Sequence, residues 1–175
     1  MKNTMAKVVL GLGMVGVLAG CGAEETAKDS FDQIKEEGTL VVGLDDTFAP
    51  MGFRDSNGDI VGFDVDLANE VAEKLDIEVE FQAIDWALKE TELKSDNIDV
   101  IWNGYTITDE RKKQVDFSSP YLETSQIIIV LEDSEIQTKE DLSGKVIAAQ
   151  QSSSAVDAIN ADESNIVEKF TNQEV

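Results

Sequence analysis

The sequence predicts an α/β fold built on a parallel sheet. Three strand-length segments, at 39–44, 78–83 and 98–102, alternate with two segments of helical periodicity, at 64–75 and 87–94. A strand–helix–strand–helix–strand order is typical of parallel sheets with right-handed crossover connections. An apolar content of 42% is sufficient for a buried core.

The chain before residue 62 is expected to form a helix, a strand and a hairpin. Asp29 or Ser30 can cap a short helix that ends at Gly38. The continuous apolar run at 39–44 is typical of a strand buried on both faces. Turn-forming residues at 55–59 separate two short extended segments and predict the hairpin.

The second half of the chain predicts a further, smaller α/β unit. Thr108 and Thr138 can each cap a short helical turn. Three more strands are predicted at 126–131, 145–149 and 166–170. One helix is predicted at 152–160. We therefore expect a first α/β lobe over residues 38–123 and a partial second α/β lobe over residues 124–175.

The N-terminal 20 residues are predicted to be a signal peptide. Lys2 and Lys7 precede or flank an apolar run at 8–18, and small residues follow it. The run is shorter than the roughly 20 residues of a membrane-spanning helix. Leu-Ala-Gly-Cys21 resembles the lipobox of bacterial lipoproteins, which implies a lipidated Cys21. Residues 21–37 would then hold the lipidated cysteine, a tether and the short helix.

The composition favours a binding role over catalysis. The chain has a formal net charge of −22, no histidine and a single cysteine. The negative charge disfavours nucleic acid and anionic lipid as partners. Without histidine, the usual general base and the Ser-His-Asp and Cys-His arrangements are missing. We expect no disulfide, no cofactor and no metal.

The segment Gly62-Phe-Asp-Val-Asp-Leu67 carries the most specific local pattern. With the apolar stripe that follows, it resembles the signature of bacterial solute-binding protein family 3, the polar amino acid receptors of ABC importers. The resemblance implies a two-lobed, type II periplasmic-binding-protein-like fold, in which strands near 123–131 cross between the lobes. Asp64 and Asp66 are expected to satisfy free N–H groups at the helix start rather than to contact ligand.

A calcium loop is the alternative for this region. Asp55, Asn57, Asp59 and Asp66 have part of the spacing of an EF-hand loop. Glycine stands at the fourth position of the loop instead of the sixth, which favours a hairpin turn.

The resemblance also implies a set of ligand-binding residues. Arg111 would hold the ligand α-carboxylate through a two-pronged bond, and the alternative is a surface arginine paired with Asp109 or Glu110. The hydroxyls of Ser153 and Ser154 would close on the same carboxylate from the second lobe, although family members usually carry glycine where Ser152 stands. The other implied site residues are Asn103, Gly104 and Thr106 beside the carboxylate and ammonium, and Asp45, Phe48 and Trp86 around the ligand side chain.

Taken together, these patterns predict an extracytoplasmic, lipid-anchored, monomeric protein that captures an amino acid for ABC permease subunits. An enzyme similar to cyclohexadienyl dehydratases, using Asp45 or Asp85 as the acid, is one alternative, and an amino-acid-sensing module is another. Trp102 is expected to pack in the core. Because receptors of this family continue through the second lobe and return to the first, we expect the 175 residues to be a truncated form of a longer chain.

Overall fold

The computed structural model describes residues 29–162 and the strand at 168–169. The signal peptide, Cys21 and the start of the tether, which the sequence predicts, lie outside the described residues. In chain order the elements up to residue 101 are α1 (Ser30–Glu37), β1 (Thr39–Leu44), β2 (Thr47–Phe48), β3 (Gly52–Arg54), β4 (Ile60–Val61), α2 (Phe63–Leu75), β5 (Glu78–Ala83), α3 (Lys89–Lys94) and β6 (Val100–Ile101). They are followed by β7 (Val146–Ile147), α4 (Ser154–Ala161) and β8 (Glu168–Lys169).

The main sheet has the order β5-β1-β6 and is parallel throughout. Thr39 is paired with Glu78 at one end of β1, and Leu44 is paired with Ala83 at the other. Val42 of β1 pairs with Val100 of β6. The connections through α2 and α3 are the crossovers that a parallel pair requires, so the predicted parallel α/β arrangement is confirmed.

The core lies where β1 meets α2. Val42 and Leu44 on the strand and Ala68 on the helix are almost fully buried. Trp102 packs against this cluster, as predicted, and its ring lies 6.4 Å from that of Tyr121. Burial of these apolar side chains is the main force that holds the helix on the sheet.

Helix α1 begins and ends at the residues that the sequence predicts. Asp29 Oδ1 accepts a 3.1 Å hydrogen bond from the Phe31 amide. Gly38 has a φ of 77°, and its amide donates a 2.8 Å hydrogen bond to the Ile34 carbonyl. These bonds satisfy groups that a helix leaves unpaired at its two ends.

The start of α2 is capped by backbone rather than by acidic side chains. The amides of Phe63 and Asp64 donate to the carbonyls of Pro50 and Met51, over 2.9 and 3.0 Å. Gly62, with a φ of 139°, permits this approach because a Cβ there would overlap the Met51 carbonyl. No side chain caps the helix, so the prediction that Asp64 satisfies free amides is wrong.

The carboxyl group of Asp64 instead points into the protein interior. Asp64 is 1% exposed, and its Oδ1 accepts a 2.7 Å hydrogen bond from the Tyr121 hydroxyl. Burial raises the pKa of this carboxyl above its ordinary value, although the bond from Tyr121 opposes the shift. The predicted structural role of Asp64 therefore comes from a buried polar contact that ties α2 to residue 121.

The turn at residues 55–59 forms a hairpin between β3 and β4, as predicted. Asp55 Oδ1 accepts hydrogen bonds from the amides of Asn57 and Asp59, over 2.8 and 3.0 Å, and the first of these bonds lowers the pKa of Asp55. The hairpin gains a third strand, β2, which the sequence did not predict. Within residues 29–162, no group of acidic or cysteine side chains that could hold a metal ion is found.

Residues 126–131 do not form the long strand that the sequence predicts. Ile127, Ile129 and Leu131 are 76%, 85% and 79% exposed. A strand requires a hydrogen-bonded neighbour, and none pairs with this segment in the part of the chain that the structure describes. The prediction of a strand at 126–131, and of crossing strands near residues 123–131, is therefore wrong for these residues.

The smaller elements after residue 131 agree with prediction more closely. Thr138 and Asp141 form a capping box at a 3₁₀ turn, Lys139–Leu142. Strands β7 and β8 are parallel, and β8 lies within the predicted strand 166–170, whose other residues lie outside the described part. None of the described helices is long and apolar enough to cross a membrane.

Candidate functional site

A cleft of about 250 Å³ opens beside the ends of the main sheet. All nine residues that the sequence singles out for ligand binding line it: Asp45, Phe48, Trp86, Asn103, Gly104, Thr106, Arg111, Ser153 and Ser154. Four further lining residues were not predicted: Thr124, Gln126, Gln150 and Ala155. Asp85, the other acid considered for catalysis, does not line this cleft and caps a 3₁₀ turn, where its carboxylate accepts from the Ala87 amide.

The position of the cleft follows from the sheet. Asp45 comes directly after β1, and Asn103 comes shortly after β6. Trp86 follows β5. Because the three strands are parallel, their carboxyl ends meet at one edge, where open α/β sheets commonly bind ligands.

Asp45 and Asn103 are fixed to each other at this edge. Asn103 is 2% exposed, and its Oδ1 accepts a 3.2 Å hydrogen bond from the Asp45 amide. The Asp45 carboxylate accepts from the amide and hydroxyl of Thr47, over 2.9 and 2.6 Å. Two buried atoms of lining residues, Asn103 Nδ2 and Ser153 Oγ, have no hydrogen-bond partner among the described residues.

Arg111 lies at the base of the cleft and is 6% exposed. Its Nη1 donates a 2.9 Å hydrogen bond to the Thr106 carbonyl, and its Nη2 donates a 3.2 Å bond to the Ser152 carbonyl. The guanidinium carbon lies 4.4 Å from the centre of the Tyr105 ring. These partners are neutral, so they orient the guanidinium group of Arg111 but do not neutralise its charge.

The alternative of a surface arginine paired with its acidic neighbours is wrong. Asp109 pairs with Lys112 over 3.4 Å, and Glu110 pairs with Lys113 over 2.6 Å. Thr108 Oγ1 accepts from the Arg111 amide over 3.2 Å and sets the start of the turn. The turn therefore presents its arginine to the cleft and its two lysines to solvent.

A buried polar group that the sequence did not indicate lies behind Arg111. The Tyr105 hydroxyl donates a 2.5 Å hydrogen bond to Glu90 Oε1, and Lys89 Nζ lies 3.4 Å from Glu90 Oε2. Burial lowers the pKa of Lys89, and the negative charge of Glu90 opposes this shift. Burial opposes the ionisation of Glu90, but Tyr105 and Lys89 hold its pKa below the ordinary value. A lysine at the start of a helix gives no sequence signal of burial.

Residues 150–154 approach the cleft from the C-terminal part of the chain. Gln150 Nε2 donates to Asp45 Oδ2 over 2.6 Å, and Ser154 Oγ lies 3.4 Å from Thr106 Oγ1. Ser152 has a φ of 58°, the left-handed conformation that glycine adopts most readily. The noted departure from glycine at this position therefore falls where a side chain strains the backbone.

Comparison with known proteins agrees with this geometry. Residues 40–173 match the model of the bacterial extracellular solute-binding proteins, family 3. The L-cystine-binding protein TcyJ of Escherichia coli (strain K12) is 35% identical over 144 residues, which cover 81% of this chain and 54% of that protein. The arginine-binding extracellular protein ArtP of Bacillus subtilis (strain 168) is 37% identical over 133 residues, which cover 76% of this chain and 50% of that protein.

A solved structure gives the same result in three dimensions. An ABC uptake transporter substrate-binding protein from Streptococcus pneumoniae, with bound histidine, superposes with a TM-score of 0.80 at 42% identity and covers 85% of this chain and 62% of that one. The chain spans about half the length of the curated relatives it matches. It has the α/β, type II periplasmic-binding-protein-like fold, with the first lobe largely present and the second in part. The chain belongs to the bacterial extracellular solute-binding proteins, family 3.

Proposed function

We propose that this chain is the ligand-binding part of an extracytoplasmic lipoprotein that captures a polar amino acid and delivers it, as a monomer, to an ABC importer. Residues 38–123 are the first lobe in this proposal, and residues 124–175 belong to the second. The observation that carries the proposal is the buried guanidinium of Arg111 at the base of the cleft, whose hydrogen-bond partners among residues 29–162 are the carbonyl groups of Thr106 and Ser152.

A carboxylate is the ligand group that best fits Arg111. The planar guanidinium can direct two parallel N–H groups at one carboxylate, and the Tyr105 ring beneath it limits its rotation. The hydroxyls of Ser153 and Ser154 lie across the same cleft, next to the first turn of α4. We propose that the two lobes close on the α-carboxylate from opposite sides, which is a hinge motion.

The remainder of the cleft suits a polar side chain flanked by rings. Phe48 and Trp86 supply aromatic surface, and Asp45, Gln126 and Gln150 supply polar ends. The relatives are described as binding cystine, arginine or histidine, and these ligands share the α-carboxylate and a polar side chain. A micromolar dissociation constant would correspond to roughly 8 kcal/mol.

The experiment is a calorimetric titration of the full chain with the twenty amino acids and cystine. We expect saturable binding of one or a few polar amino acids. Arg111→Ala should weaken binding of every one of them by about 2–5 kcal/mol, because the carboxylate is common to all. Arg54→Ala is the matched control, since Arg54 pairs with Asp46 on the hairpin, away from the cleft. Retained affinity in Arg111→Ala would contradict the carboxylate assignment.

A catalytic role for the same fold is the competing function. Asp45 is the acid at the cleft, but its oxygens already accept from Thr47 and Gln150. The family model and the curated relatives describe binding proteins. Incubation of the chain with prephenate or arogenate should give no product, and measurable turnover would replace the importer proposal with an enzyme.

A further inference from the structure

Two positive side chains converge on one carbonyl oxygen beside the cleft. The Ser152 carbonyl accepts a 3.2 Å hydrogen bond from Arg111 Nη2 and a 3.3 Å bond from Lys89 Nζ. Ser152 precedes α4, whereas Lys89 begins α3 and lies 63 residues earlier in the chain. This single acceptor therefore joins residues 150–154 to two separate parts of the sheet region.

Lys89 is held at this point at a considerable cost in hydration. It is 2% exposed, and a buried ammonium group is unfavourable unless it is paired and hydrogen-bonded. Its Nζ also donates to the Trp86 carbonyl over 2.9 Å, contacts Glu90 and lies 5.0 Å from the centre of the Trp86 ring. Its surroundings thus fix the direction of the ammonium group towards Ser152.

The two donors to Ser152 differ in what else they can reach. Arg111 lines the cleft, and Lys89 does not. Nη2 carries two N–H groups, and a ligand carboxylate that takes the one now donated to Ser152 displaces that carbonyl. Lys89 can keep its bond to Ser152 during that exchange because it has no access to the ligand.

We propose that Lys89 is a positioning residue that holds the loop at residues 150–154 against the first lobe while Arg111 turns from the Ser152 carbonyl to the ligand carboxylate. The inference rests on the proposed function for its second half only. The holding of the loop by Lys89 concerns the chain without ligand and stands on the contacts above.

Hydrogen exchange in the full chain without ligand tests the holding role. In Lys89→Met, amides at residues 150–156 should exchange at least about tenfold faster, while those of β1 and β5 keep their wild-type rates. Lys94→Met is the control because Lys94 lies on the same helix, and its Nζ contacts the Gln114 side chain at the surface. Unchanged exchange at 150–156 would overturn the proposal. Equal acceleration in β1 and β5 would also overturn it, because Lys89 would then only stabilise the lobe.

Ligand binding tests the exchange of partners. If a smaller fraction of Lys89→Met has the loop in place, the apparent affinity for the amino acid should fall in proportion, by about tenfold. Lys89→Arg, which keeps the charge and the donors, should recover most of this loss. Full affinity in Lys89→Met, or no recovery in Lys89→Arg, would refute the positioning role. A wild-type chain that binds no amino acid refutes the proposed function, whereas the exchange experiment still decides the role of Lys89.

Discussion

The side-chain amide of Gln150 donates a 2.6 Å hydrogen bond to Asp45 Oδ2 across 105 residues of chain. Asp45 is the one acidic residue among those that line the cleft in the described part of the chain. In the proposed function, a cationic ligand side chain would meet this same oxygen. The bond joins the loop at residues 150–154 to the first lobe, and in the proposed function Gln150 would compete with the ligand for Asp45.

Asp45→Asn should change ligand preference more than overall affinity. Loss of the carboxylate charge removes a charge-assisted hydrogen bond to a cationic side chain, which is worth about 1.5–3 kcal/mol. We expect binding of arginine to weaken about tenfold or more relative to binding of glutamine. Competition titrations with the two amino acids measure this ratio. Asp46→Asn is the control because Asp46 pairs with Arg54 over 2.6 Å, and an equal change in that variant would contradict a specific role for Asp45.

Asp64→Asn should become relatively more stable as the pH rises. Burial raises the pKa of Asp64 above its ordinary value of 3.8, so the folded chain holds this proton more tightly than the unfolded chain. Wild-type stability therefore falls as the pH rises from the unfolded pKa through the folded one. Asparagine does not titrate, and the free energy of unfolding of the variant, relative to wild type, should increase over this range.

Urea unfolding at pH 4 and pH 7 measures this difference. Asp66→Asn separates the general loss of a negative charge at the helix start from burial, because Asp66 is exposed in the same turn. A difference for Asp64→Asn that decreases with pH would show that the buried carboxylate is stabilised in the folded state, contrary to the expected sign.

Ser152→Gly should stabilise the chain. The left-handed conformation costs a residue with a Cβ about 1–2 kcal/mol, and the extra backbone entropy of glycine offsets about 0.5–1 kcal/mol of the gain. We expect a net increase of about 0.5–1 kcal/mol in the free energy of unfolding. Ser153→Gly should have the opposite sign because Ser153 has an ordinary extended backbone, with a φ of −85°. Destabilisation by both changes in thermal or urea unfolding would argue against backbone strain at Ser152.

Cys21→Ala should abolish membrane attachment. The sequence around Cys21 resembles a lipobox, and two or more acyl chains are needed for stable anchoring. In cells that express the full chain, labelled palmitate should enter the wild type and be absent from the variant. Label that persists in Cys21→Ala would place the attachment elsewhere, whereas a Lys7→Ala chain should still be labelled.

The nine site residues were predicted from the family resemblance, and the structure shows that they line one cleft. In the structure Asp45, Trp86 and Asn103 each follow one of the three parallel strands, which explains why they meet at one edge of the sheet. Lys89 and Gln150 were not predictable. A lysine on a helix is normally solvated, and the bond from Gln150 to Asp45 depends on how the C-terminal part of the chain packs against the first.

The wrong prediction at residues 126–131 has a related cause. Apolar, β-branched side chains favour extended structure, but they do not supply the neighbour that a strand needs. The prediction that Asp64 satisfies free amides at the start of α2 is wrong for a local reason. Aspartate is a common helix-capping residue, but the free amides at the start of α2 donate to the carbonyls of Pro50 and Met51 instead.

The central place of β1 in the sheet also determines the order in which the fold can form. β1 is made first, but its two neighbours end at residues 83 and 101. One edge of β1 cannot be paired until α2 and β5 have left the ribosome, and the other cannot be paired until α3 and β6 have followed. Such delayed pairing between distant segments slows folding and exposes an apolar strand to other chains in the meantime. A chaperone that binds residues 39–44 during synthesis would protect the strand of this sheet that stays unpaired for the longest time.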